Sequence, residues 1–131
     1  MTVIVGFVPT PEGRAALDVG VAEAKYRNTR LVVVNNSRGD ALVDKHIPNK
    51  EEFAEIRTRL ESSGLDYSLE QKNQVDDLVE GLLEHITDGG DDVIVIGLRH
   101  RNPVGKLLMG SNAQRILLAS PVPVLAVKAA E

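Results

Sequence analysis

The chain contains no cysteine and no tryptophan, and only two phenylalanines and two tyrosines. The missing thiols exclude a disulfide framework, a thiolate metal site and a cysteine nucleophile, as suits a reducing compartment. With so few aromatics there is no platform on which a run of bases could stack. Positive charge is also short. Fifteen Lys and Arg against 19 Asp and Glu leave a formal net charge of −4, where a nucleic-acid binder needs a basic face. Apolar runs are short, and no basic stretch followed by a hydrophobic segment opens the chain. Neither a signal peptide nor a membrane span is expected, so a cytoplasmic protein is the default. No linker, internal repeat or low-complexity segment interrupts residues 1–131, and 43% hydrophobic residues suffice for the core of one domain.

What is present reads as alternating strands and helices. Thr2 to Val8 and Arg30 to Asn36 are apolar and β-branched, as strands buried on both faces are. Between them, Thr10 is placed to cap a helix with Pro11 at its first position and Glu12 in its first turn. Leu17, Gly20, Val21 and Ala24 make the buried face of that helix, which runs to about Arg27. Residues 37–49, with Gly39, His46 and Pro48, have no period and read as a long loop. A helix from about Lys50 to Ser63 follows, with Phe53, Ile56 and Leu60 on one stripe and Gly64 as its stop. Tyr67 to Gln71 alternates as an edge strand would. The next helix, about Val75 to Thr87, turns Val75, Leu78, Val79, Leu82, Leu83 and Ile86 to one side, and Gly89-Gly90 ends it. Asp92 to Ile96 and Val124 to Val127 are the last strands, separated by a helix over Gly110 to Ala119. Pro121 and Pro123 favour an edge position for the final strand. This order predicts an α/β domain: a five-stranded parallel sheet with helices on both faces.

The stretch from Val93 to Lys128 carries most of the functional information. A strand leads into a loop with glycines and bases, then into a helix opening on Gly110-Ser111. Such a helix start directs unpaired N–H groups and a favourable dipole at one spot, as phosphate sites in α/β proteins do. Ser111 acting only as a helix cap is the competing reading. Arg99, His100, Arg101 and Lys106 make this loop basic within an acidic chain, which favours a small anionic ligand over a polyanion. The Gly105-Lys106 pair is followed by Leu107, with no hydroxyl for Mg²⁺, so this is not a P-loop. No Gly-x-Gly-x-x-Gly follows the first strand, which removes the dinucleotide fingerprint. A ligand in an open parallel sheet sits beyond the C-terminal strand ends where strand order reverses. Gly97, the turn at Val8-Pro9-Thr10 and the strand end at Asn35-Asn36 are expected to meet there.

Catalytic patterns are weak. No Ser/His/acid set emerges. Glu51-Glu52 and Asp76-Asp77 read as helix starts, and Asp91-Asp92 as a solvated turn. His46 reads as a loop residue and His85 as a helix-face residue, neither with a partner at ligand spacing, so no metal site is expected.

Gly97 and the Gly110-Ser111 pair resemble the Gly-x2-Gly-x9-Gly-(Ser/Thr) pattern of the nucleotide-binding universal stress proteins. The tail from Ala119 to Val127 is similar to that family's closing strand, and the first strand–helix–strand unit is similar to its opening. His100 stands where the pattern has its second glycine, and Val8 where an acidic residue ends the first strand. The resemblance implies a doubly wound, Rossmann-like sheet of order 3-2-1-4-5. It implies that ATP or a related adenine nucleotide binds without classical enzyme activity, slow hydrolysis at most. Phosphates would meet Gly97, Arg99, His100, Lys106, Gly110, Ser111 and Asn112, with Thr10 nearby. Adenine would lie near Phe7, Pro9 and Asn36. Mg²⁺ would accompany a triphosphate; AMP or cyclic AMP is the alternative ligand, and a cyclic phosphate, which needs no metal, would suit the missing acid at Val8. Such a protein would serve as a stress-response sensor. A dimeric interaction protein that has lost the nucleotide is the alternative, with Val122, Val124 and Ala126 on the edge strand meeting a second copy.

Overall fold

The computed structural model describes residues 1–7, 10–36, 50–72, 78–87, 91–98 and 111–128, with only the backbone at 36, 50–52, 71, 72, 78, 111 and 112. Five strands alternate with four helices: β1 (Thr2–Phe7), α1 (Pro11–Arg27), β2 (Arg30–Asn36), α2 (Lys50–Ser62), β3 (Tyr67–Lys72), α3 (Leu78–Leu83), β4 (Val93–Leu98), α4 (Ser111–Ala119) and β5 (Val124–Lys128). The strands form one parallel sheet in the order β3-β2-β1-β4-β5. β3 and β5 are its edges, as the weak alternation of one and the prolines before the other foretold.

Side chains alternate between two cores. Val3, Val5 and Phe7 of β1 join Leu31 and Val33 of β2 beneath α1 and α2. Ile4, Val32 and Val34 face the opposite way, with Val79 and Leu82 of α3 and Ile116 of α4. Burial on both sides is why β1, β2 and β4 read as continuous apolar runs. No helix among the described residues is long and apolar enough to cross a membrane.

α1 is fixed at both ends by local chemistry. The Gly13 N–H donates to the Thr10 hydroxyl at 3.1 Å, a cap that stabilises by roughly 1 kcal/mol. At the other end Asn28 is left-handed, with φ 54°, and its N–H bonds the Lys25 carbonyl at 3.2 Å. The Thr29 N–H reaches the Ala24 carbonyl at 3.0 Å and completes the stop. The buried face is Gly13, Ala16, Leu17, Gly20, Val21 and Ala24. A Cβ at Gly20 would overlap a Val5 methyl, so the small residue sets how close α1 lies to the sheet.

Three local expectations change. β4 runs on through Gly97 and Leu98, because these residues pair with Val127 and Lys128 of β5. Gly97 is thus a strand residue and not the start of a loop. α3 stops at Leu83, short of Thr87, because the chain tightens there. The His85 N–H bonds the Leu82 carbonyl at 3.3 Å and the Ile86 N–H bonds the Leu83 carbonyl at 3.1 Å. Asp92 is not part of a solvated turn: it is 1% exposed. Its Oδ2 accepts the Thr87 N–H at 2.6 Å and the Thr87 hydroxyl at 2.9 Å, which ties the end of the α3 segment to the start of β4.

Candidate functional site

Strand order reverses between β1 and β4: the chain moves outward from β1 to β2 and β3, then returns to the other side of β1. A crevice forms beyond the C-terminal ends of strands at such a point. Phe7 ends β1, Leu98 ends β4, and the N-termini of α1 and α4 open at this same end of the sheet. α1 belongs to one core and α4 to the other, so their positive dipole ends flank β4 from its two faces.

Gly97 is the closest point of this arrangement. A Cβ there would overlap the carbonyl oxygen of Glu12 and come within 3.0 Å of its Cβ. The backbone of β4 therefore lies directly against the first turn of α1, and only glycine leaves room for it. Thr10 sits at the head of that turn, its hydroxyl held by Gly13. The structure thus brings Gly97 and Thr10 to one place. The backbones of Asn36 and Ser111 stand at the same end of the sheet, at the end of β2 and the start of α4. Asn112 follows in the first turn of α4. Pro9, Arg99, His100, Arg101, Lys106 and Gly110, with Val8, lie outside the described residues.

Phe7 behaves differently from a surface contact. Its side chain is 1% exposed and belongs to the α1–α2 core. It also lines a cavity of about 210 Å³ between those helices, with Arg14, Leu17, Asp18, Glu55, Ile56 and Arg59. This cavity opens on the α1–α2 face, and the Arg59–Asp18 ion pair belongs to its wall.

One residue beside the site stands out for its chemistry. Asn35 pairs with Phe7 across β1 and β2 and is 0% exposed. Neither its Nδ2 nor its Oδ1 has a hydrogen-bond partner. An unsatisfied buried amide costs about 1–3 kcal/mol. Sequence reading placed Asn35-Asn36 at this strand end and gave the ligand contact to Asn36; the alternation that places residues 31, 33 and 35 on one face was the signal for Asn35.

Val122 and Val124 are half-buried against the α3–α4 core, and Ala126 is exposed on β5. Leu117 and Leu118 of α4 are exposed, Leu118 at 88%. The outer edge of β5 has no partner strand in the described sheet.

The universal stress protein family model matches residues 1–128. A universal stress protein of Mycolicibacterium smegmatis is 46% identical over 126 residues, which cover 96% of each chain. Among solved structures, a universal stress protein from Archaeoglobus fulgidus superposes with a TM-score of 0.74 at 25% identity, covering 98% of both chains. A universal stress protein solved in complex with cAMP superposes with a TM-score of 0.67 at 20% identity, covering 99% of this chain and 98% of that one. The crevice, the sheet order and the match along nearly the whole sequence agree: the chain belongs to the universal stress protein family.

Proposed function

We propose that this protein binds an adenine nucleotide, ATP in the first instance, in the β1–β4 crevice and acts as a stress-response sensor rather than as an enzyme. The observation that carries the reading is the seating of Gly97 against the first turn of α1, between two helix N-termini. Backbone groups of Gly97, Gly110 and Ser111 would hold phosphates, with Arg99, His100, Lys106 and Asn112 as side-chain contacts and Thr10 at the rim. Adenine would lie by Pro9 and Asn36. Phe7 would support it from below through its backbone, because its side chain is committed to the core. The cAMP complex of a family member supports the adenine preference. Mg²⁺ would accompany a triphosphate, and AMP or cyclic AMP would bind without it. Nucleotide would shift the population between states that a partner distinguishes.

Thermal unfolding against ATP, ADP, AMP and cyclic AMP, each with and without Mg²⁺, tests this. A nucleotide at 100 times its dissociation constant stabilises by about 2.7 kcal/mol, a rise of several degrees for a domain of this size. Gly110→Val is expected to lose that rise while melting at the same temperature as the parent without ligand. A variant that still responds fully would move the phosphates elsewhere, and a parent that responds to none would remove the nucleotide reading.

A second reading is favoured by the unpartnered edge of β5 in the described sheet and by the exposed Leu117 and Leu118 of α4. In this reading two copies meet through Val122, Val124 and Ala126, with nucleotide absent. Val124→Asp is then expected to sediment as a monomer where the parent sediments as a dimer; an unchanged dimer would place the interface on another face.

A further inference from the structure

Glu70, Glu84 and His85 converge at the β3 edge of the sheet, away from the β1–β4 crevice. Glu70 lies in β3, while Glu84 and His85 follow the last turn of α3. Glu70 pairs with Val34, a member of the α3–α4 core, and so stands on the same face of the sheet as α3. One ligating atom from each of the three residues lies within 4.8 Å of the others. The imidazole is the centre of the group. Its side chain is 20% exposed, and Nε2 itself is closed to solvent. Glu70 Oε2 approaches Nε2 to 2.7 Å, the distance of an ion pair, yet the two are not aligned as a hydrogen bond and Nε2 makes no other. A buried ring nitrogen turned toward carboxylate oxygens without a hydrogen bond has the disposition of a ligand waiting for a shared cation.

We propose that Glu70, Glu84 and His85 form a binding site for a divalent transition-metal ion of the zinc type. One imidazole nitrogen and two carboxylate oxygens match the borderline donors such an ion takes, whereas Mg²⁺ and Ca²⁺ require larger shells of oxygen. Bond lengths of about 2.0–2.2 Å set neighbouring donors about 3.3 Å apart in a tetrahedron. The separations here need shifts of well under a side-chain length to reach that, and Glu84, on the exposed side, leaves the ion a way in. Three protein donors leave a fourth position for water or an outside ligand. The bound ion would join the edge strand β3 to the end of α3. None of this depends on a nucleotide.

The test uses the full chain after treatment with a chelator, with Zn²⁺ alone as probe and Co²⁺ as a coloured substitute. Calorimetry is expected to show one ion per chain, unfolding to shift up by several degrees, and Co²⁺ to develop the visible absorption of a tetrahedral site. Mg²⁺ at the same concentration is expected to do nothing. Glu84→Gln, which removes the charge at an exposed position and keeps the shape of the side chain, should weaken Zn²⁺ by about tenfold or more. His85→Ala should abolish the Co²⁺ spectrum, although His46 and His100 remain. No shift with Zn²⁺, or equal affinity in the parent and Glu84→Gln, overturns the site.

Discussion

Gly97→Ala is expected to lower the melting temperature by several degrees and to disturb the crevice at the same time. The added methyl meets the backbone carbonyl of Glu12, which cannot swing aside as a side chain would. Either β4 or the first turn of α1 must move, and overpacking of this kind costs about 1–3 kcal/mol. Gly6→Ala is the control. Its Cβ would come within 3.1 Å of a Leu82 methyl, the far end of a side chain, and 3.6 Å of an Ile96 methyl, an ordinary contact. Differential unfolding of the two variants separates the steric role of Gly97 from a general intolerance of alanine in the sheet. Equal melting points would show that the β4–α1 contact relaxes freely. If the cost is found, Gly97 is required by packing whether or not phosphate binds, and a nucleotide titration of the same variant reads the second role on its own.

The other large effect is expected at Asp92. Burial pushes its carboxyl upward, but the Thr87 N–H and hydroxyl, the nearby Thr2 amide and the amino terminus outweigh burial and hold it below its ordinary value of 3.8. Asp92 Oδ1 takes no hydrogen bond, so Thr2 acts at longer range than Thr87 does. A carboxyl whose pKa is depressed by folding gives its stabilisation in full above the unfolded value. That contribution is lost as pH falls below about 4 and through the folded value. Hydrogen bonds to a charged group are worth about 1.5–3 kcal/mol, so Asp92→Ala should cost roughly 5–10 °C at neutral pH. The parent and variant curves should converge as the pH drops below about 4. A gap that stays constant into acid would mean that the charge of Asp92 contributes nothing.

These two residues show where sequence reading reaches and where it stops. The Thr10 cap, the Gly64 stop and the apolar faces of α1 and α2 depend on residues within a few positions of each other, and their patterns were visible in the chain. Sheet order came from family resemblance joined to the alternation of strands and helices, and the structure has the same order. Asp92 was misread because two adjacent acids before a strand look solvated; its buried carboxylate is instead held by the N–H and hydroxyl of Thr87, five positions earlier and past the end of α3. Gly97 was singled out for a phosphate, yet its contact with Glu12 joins residues far apart in the chain, which no local pattern reports. The same holds for His85. Its neighbour Glu84 follows the same helix end, but Glu70 arrives from a strand, and the grouping appears only once the chain after α3 meets β3.

The placement of β1 at the centre of the sheet bears on how the chain comes together during synthesis. Its first neighbour, β2, emerges early, and Thr2 to Phe7 can pair with Arg30 to Asn35 as soon as α1 has turned the chain. Its second neighbour does not exist until the ribosome has passed Val95. Through that interval the nascent half-sheet carries an apolar strand with one open row of N–H and C=O groups, an edge prone to pair with other chains. β4 is therefore the lock that retires this edge, and Gly97, by letting β4 lie flat against α1, is what lets the lock close.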